Sequence, residues 1–81
     1  MRTEIMIQEV LNETGTAMVI NDSRKELKIE LLNYYINDIM QCSIKIFEIG
    51  TTELLFEISL PFKLFRVYQD DIKEQIDYII E

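Results

Sequence analysis

The sequence has no histidine, one cysteine and only two glycines among its 81 residues. Without histidine, the chain cannot build a Ser-His-Asp or Cys-His nucleophilic site, or a histidine-containing metal site, from its own side chains. Gly15 and Gly50 are too few for a phosphate-binding loop or a dinucleotide fingerprint, which need several glycines at close spacing. We therefore expect a protein that is not an enzyme and that holds no cofactor or metal.

Carboxylate chemistry is the class that these absences leave open, because acid–base and hard-cation sites can be built from Asp and Glu alone. The densest acidic run comprises Asp70, Asp71, Glu74 and Asp77. Their spacing is that of the first turn and solvent face of a helix, where negative charge stabilises the N-terminus. We interpret the run as a solvated helix face, and an enzyme that uses carboxylates alone is the least favoured function.

The sequence also lacks the features of secretion and of membrane insertion. One cysteine cannot close an internal disulfide, so we expect Cys42 to be a small buried apolar residue in a reducing compartment. Glu4 and Glu9 interrupt the stretch in which a signal peptide needs continuous apolar residues. No apolar run approaches the roughly 20 residues that cross a bilayer as a helix. We expect a cytoplasmic protein without membrane contact.

The chain is rich in apolar and in acidic residues. Apolar residues make up 48% of it, and 15 acidic against 8 basic residues give a net charge of −7. The apolar content exceeds that of disordered chains, and the length allows one domain, residues 1–81, with one thin core. The negative charge repels nucleic acid and favours a protein partner with a basic surface. The basic, aromatic stretch 61–66 has two positive charges, too few to reverse that expectation.

The N-terminal part of the sequence predicts a β-hairpin. Ile5 and Ile7 alternate within residues 4–11, which indicates a strand whose phase slips at Val10. Turn-forming residues follow at 12–15, and residues 16–20 predict the returning strand.

Residues 24–40 fit two structures. A capping box at residues 23–26 precedes a segment without glycine or proline, which favours a helix. Apolar residues then alternate with charged ones, however, and Lys28 would lie within the apolar arc of such a helix. We favour a strand over 26–32 followed by a loop over 33–38.

The C-terminal half gives clearer patterns. Residues 43–49 and 54–60 predict a hairpin, and Pro61 should end or edge its second strand, before another edge strand over 62–68. The second strand should bury one side, formed by Phe56, Ile58 and Leu60. From Asp71 onward, a capping box with Glu74 and an i, i+4, i+7, i+8 stripe predict a helix. That stripe consists of Ile72, Ile76, Ile79 and Ile80.

These patterns predict an α+β fold, in which an antiparallel sheet of four to six strands is built from hairpins and carries a C-terminal amphipathic helix. The alternative is a ββαββα order with an extra helix near 24–38.

We expect the function to be that of a small acidic protein-interaction or inhibitory module. It would act on a basic surface of a host or toxin protein, and the 14 isoleucines indicate an AT-rich source such as a low-GC bacterium, its phage or its plasmid. Acidic residues would supply the electrostatics, with the adjacent tyrosines as interface anchors. The predicted partner-binding residues are Glu4, Glu9, Glu13, Tyr34, Tyr35, Asp70, Asp71, Glu74 and Asp77. The alternative function is a homo-oligomeric module whose subunits share the isoleucine face and hold a small ligand between them.

Overall fold

The computed structural model describes residues 2–11, 18–22 and 27–80 of the chain. Three helices and four strands lie in these ranges: α1 (Arg2–Leu11), β1 (Met18–Asp22), β2 (Leu27–Ile36), β3 (Ile39–Glu48), β4 (Leu54–Pro61), α2 (Phe62–Val67) and α3 (Gln69–Ile80). The chain is an α+β protein with an antiparallel sheet and a C-terminal helix, which confirms the predicted fold class.

The four strands form one antiparallel sheet in the order β1-β2-β3-β4, so each strand pairs with its neighbour in the sequence. Ile44 at the centre of β3 lies opposite Leu31 of β2 and opposite Ile58 of β4. Because side chains alternate between the two faces of a strand, rows like this one recur at every second position. The rows give the sheet one apolar side, called the core face below.

The three helices cover the core face and complete the core. Its buried apolar side chains are Leu27, Ile29, Leu31, Met40, Cys42, Ile44 and Ile46 from the sheet, and Met6, Ile7, Val10, Phe65, Ile72, Ile76 and Ile80 from the helices. Burying one such side chain is worth about 1.5–3 kcal/mol relative to leaving it exposed. The buried position of Cys42 confirms its prediction as a small core residue.

The strand predicted over residues 4–11 is wrong, because these residues form α1. Met6, Ile7 and Val10 are buried, at the spacing of one helix face. Ile5 is 61% exposed, so it does not share a face with Ile7 as the strand required. The predicted turn at 12–15 lies outside the described residues. The returning strand predicted over 16–20 is confirmed from residue 18 onward as β1, which continues to Asp22 and pairs with β2. Residues 16 and 17 also lie outside the described residues.

The strand favoured for residues 26–32 is confirmed from residue 27 onward as part of β2, and the alternative helix near 24–38 is wrong over the same stretch. Residues 24–26 lie outside the described residues. The loop predicted over 33–38 is also wrong, because β2 continues to Ile36. Asn37 and Asp38 alone make the turn into β3, with φ angles of 50° and 64°. Two consecutive positive φ values are those of a type I′ hairpin turn, which Asn and Asp tolerate better than other non-glycine residues.

The hairpin predicted from residues 43–49 and 54–60 is confirmed as β3 and β4, with Gly50 in its turn at φ 85°. Pro61 ends β4 as predicted. The edge strand predicted over 62–68 is wrong, because residues 62–67 form α2. Pro61 cannot donate a ladder hydrogen bond, and its fixed φ of −53° leads directly into the helix. Only Phe65 of α2 is buried.

The C-terminal helix is confirmed as α3, but it begins two residues before Asp71. The amide of Ile72 donates to the Tyr68 carbonyl oxygen at 2.9 Å, so Asp71 lies inside the first turn rather than at the N-cap. Its carboxylate still benefits from the helix dipole there, as the sequence predicted.

A buried amide ties α1 to the sheet. The side-chain Nδ2 of Asn33, which is 5% exposed, donates to the carbonyl oxygen of Val10 at 2.7 Å. That carbonyl belongs to the last turn of α1, where carbonyl oxygens have no partner within the helix. Asn33 therefore satisfies the end of one helix from the middle of a strand.

We predict that Asn33→Leu lowers the free energy of unfolding by about 1–3 kcal/mol, because the buried Val10 carbonyl loses its short hydrogen bond. It keeps only the weak donor of the Cys42 thiol, whose Sγ lies at 3.9 Å. Urea denaturation measures the loss, and the amides of α1 should exchange with solvent faster. Ser59→Ala, which removes an exposed hydrogen bond to Tyr34, is the control and should cost less than about 0.5 kcal/mol. Equal effects of both substitutions would contradict the assigned role of Asn33.

Phe65→Ala should cost about 3–5 kcal/mol, because it leaves a cavity under α2. Val67→Ala should change stability by less than about 0.5 kcal/mol, since Val67 is 71% exposed. If Phe65→Ala does not fold, Phe65→Leu tests the same contact with a smaller loss. A larger effect at Val67 than at Phe65 would mean that α2 presents its other side to the core.

Candidate functional site

The predicted acidic residues lie on both flanks of α3 and along α1. Glu4 of α1 and Asp70 of α3, 66 positions apart in the sequence, line one groove between the two helices with Gln8 and Lys73. Its volume is about 270 Å³. Glu4 and Asp70, which the sequence predicts as separate partner-binding residues, are therefore neighbours in the folded chain.

Asp77 lies on the same flank of α3 but is held by neighbouring side chains. Lys73 Nζ donates to Asp77 Oδ2 at 2.8 Å. That hydrogen bond, a second one from the buried Thr3 of α1, and the Lys73 charge hold the pKa of Asp77 below its ordinary value of 3.8, against the opposing effect of desolvation. Asp77 therefore stabilises the α1–α3 contact and offers less of its charge to a partner.

Asp71 and Glu74 lie on the opposite flank, at the rim of a larger groove between α3 and β4. We call this the β4–α3 groove. Its volume is about 840 Å³, and its apolar side chains outnumber its polar ones. The complete lining is Phe56, Ile58, Leu60, Tyr68, Asp71, Ile72, Glu74, Gln75, Tyr78 and Ile79.

The β4–α3 groove was not predicted as a site. Phe56, Ile58 and Leu60 were predicted to be the buried side of their strand, and the structure leaves all three half-buried. The alternating pattern of β4 identifies its apolar side, but it does not indicate whether a helix covers that side completely. The exposure of Tyr78 could have been predicted from the sequence, because this residue lies on the polar side of the isoleucine stripe. In the structure it is 89% exposed.

The two tyrosines face opposite sides of the sheet, as expected for neighbours in a strand. Tyr34 lies half-buried on the face opposite the core, where its hydroxyl makes a 2.7 Å hydrogen bond with the Ser59 hydroxyl. Tyr35 is 67% exposed at the end of the sheet, near Ile39 and Leu64. Neither tyrosine lines the grooves beside α3, so the structure does not join them to the acidic residues.

The remaining predicted residues add little to this surface. Glu9 is half-buried on α1, and Glu13 lies outside the described residues. Among side chains that the structure describes, no three of the His, Cys, Asp or Glu type come together as a metal site. No helix within the described ranges is long and apolar enough to span a membrane.

Comparisons with protein families, with curated proteins and with solved structures find no match for this chain.

The pKa of Asp77 predicts a pH-dependent contribution to stability. Because the pKa in the folded state is below the unfolded value, the stabilisation is complete above about pH 4 and is lost as the pH falls through the folded pKa. Asp77→Asn should therefore destabilise the chain at pH 7, on the order of 0.5 kcal/mol for a helical i, i+4 pair.

Urea denaturation at several pH values should show this difference shrinking as the solution is acidified below about pH 4. Glu74→Gln removes an exposed carboxylate from the same helix and should cost less than Asp77→Asn at pH 7. A pH-independent difference for Asp77→Asn would contradict the role of the Lys73 and Thr3 contacts.

Proposed function

We propose that this chain is a non-enzymatic protein-interaction or inhibitory module, of phage or plasmid origin in a low-GC bacterium. In this proposal it occupies a basic surface of a host or toxin protein in the cytoplasm. The support comes from the way its carboxylates are distributed between internal pairs and solvent.

Three acidic side chains of the described chain are neutralised by lysines. These ion pairs are Lys28–Glu30 at 3.8 Å, Lys45–Glu57 at 3.5 Å and Lys73–Asp77 at 2.8 Å. Asp70, Asp71 and Glu74, in contrast, are exposed, and none of them forms an ion pair with another described residue. The outer side of α3 therefore carries negative charge that no ion pair among the described residues cancels, and this observation carries the proposal.

The same three carboxylates lie beside surfaces that can exclude water. Asp70 borders the α1–α3 groove, and the other two border the β4–α3 groove. Charge at the rim of an apolar depression steers association and fixes orientation, while the apolar interior supplies most of the binding free energy. A basic partner surface with apolar projections fits this arrangement.

The homo-oligomeric alternative needs the isoleucine face of α3 to be shared between subunits. Ile72, Ile76 and Ile80 are instead buried against the chain's own core. A dimer would need a different surface, and the unneutralised charge of α3 would repel its copy. We therefore retain the acidic interaction module as the proposal.

Affinity capture from cells of the source, followed by binding kinetics with the captured protein, tests the proposal. Neutralising α3 with Asp70→Asn, Asp71→Asn and Glu74→Gln should lower the association rate constant about tenfold at low salt. The control neutralises three exposed carboxylates at the hairpin turns, with Asp38→Asn, Glu48→Gln and Glu53→Gln, and should have little effect.

Both variants change the net charge equally, so a common decrease would indicate non-specific attraction and would count against α3 as the binding surface. Failure to capture a partner, or a partner indifferent to all six substitutions, would show that the proposal is wrong.

A further inference from the structure

β4 is an edge strand with little protection against pairing. Among the described elements it pairs only with β3. Natural edge strands are commonly shielded by lysines, by prolines within the strand or by a covering segment, because their unpaired N–H and C=O groups attract other strands. β4 has one charged residue, Glu57, and its proline comes only at the last position.

Regular pairing within β4 extends over Phe56–Pro61. The register between β3 and β4 shifts at Ile46/Phe47, so that Phe56 lies opposite Ile46 while Leu54 lies opposite Phe47. Such a bulge makes the beginning of β4 a poor template for another strand. The six residues after the bulge keep the regular spacing of backbone groups that an added strand needs.

The β4–α3 groove lies on the core face directly beside this edge. Phe56, Ile58 and Leu60 occupy alternate positions of β4 and contribute one wall. An additional strand beside β4 would project every second side chain toward the same groove, because neighbouring strands keep their pleats in phase. Its volume of about 840 Å³ accommodates several apolar side chains.

The charge around the groove selects the kind of occupant. Asp71 and Glu74 lie at the rim on α3, whereas Glu57 of β4 faces the other side of the sheet and pairs there with Lys45 at 3.5 Å. A second copy of this chain would bring the same acidic groups and another net charge of −7. A cationic segment meets opposite charge instead.

We propose that the β4 edge binds an extended segment of a partner protein as a fifth strand. The segment has apolar residues at alternate positions, which enter the β4–α3 groove. Lysine or arginine stands at its ends and at the intervening positions, which point to the other side of the sheet and add to its net positive charge. This inference rests on the proposed function and specifies its partner and its mode of binding: backbone hydrogen bonds give affinity and the alternate side chains give specificity.

A capped eight-residue peptide of Lys-Val repeated four times is the probe, and Glu-Val repeated four times is its control. Titration into the isotopically labelled full chain should shift the amide resonances of residues 56–60 and slow their exchange with solvent. The Glu-Val peptide should bind at least about tenfold more weakly, because it meets like charge.

Two N-methylated versions of the Lys-Val peptide test strand addition itself. Methylation of every valine blocks one edge of the peptide and methylation of every lysine blocks the other, since N–H groups two residues apart point the same way. One version should lose binding and the other should keep it. Equal binding of both, or no response at residues 56–60 to the parent peptide, would overturn the inference.

Charge reversal separates this inference from the broader proposal. Asp71→Lys with Glu74→Lys should weaken binding of the Lys-Val peptide about tenfold. Glu48→Lys with Glu53→Lys makes the same charge change at the turn between β3 and β4, outside the groove lining, and should not. If the captured partner depends on α3 but the peptide leaves β4 unaffected, strand addition is wrong and the interaction module stands. If the partner ignores α3 altogether, the interaction module itself fails.

Discussion

The fold depends on the apolar face that β2 and β3 build together. Their side chains alternate, so Ile29, Leu31, Ile44 and Ile46 form one continuous surface that water would otherwise cover. A single sheet cannot bury this surface by itself, and the chain must supply another layer. α1, α2 and α3 are that layer, and each contributes residues that are fully buried only when the sheet is present.

The sequence predicted the elements whose patterns allow one interpretation. The isoleucine stripe of α3 and the alternation in β3 and β4 each fit a single period. Lys28 favoured a strand over a helix in β2, and the structure shows the strand. Ile5 and Ile7 of α1 fit the alternation of a strand, whereas the buried residues Met6, Ile7 and Val10 follow the helical period. In short segments the two periods overlap, and burial against the sheet decides between them.

The sequence predicts which kinds of residue the candidate site contains, but it does not predict how they are arranged in space. Exposed carboxylates on α3 follow from its amphipathic pattern, but the proximity of Glu4 to Asp70 depends on how α1 docks. Likewise, Lys73 and Asp77 are visible as an i, i+4 pair, whereas the contact with Thr3 is not. An aromatic ring with a hydroxyl makes Tyr34 a predicted interface anchor, but in the structure that hydroxyl forms a hydrogen bond with Ser59 of β4.

The buried cysteine can report how often the helices separate from the sheet. Cys42 has no exposed surface, and its Sγ lies 3.9 Å from the Val10 carbonyl oxygen at the end of α1. A thiol reagent in water can reach this sulfur only after α1 leaves the sheet or the core opens more widely. The rate at which the thiol is labelled therefore measures how often the helical layer separates from the strands, without any added probe.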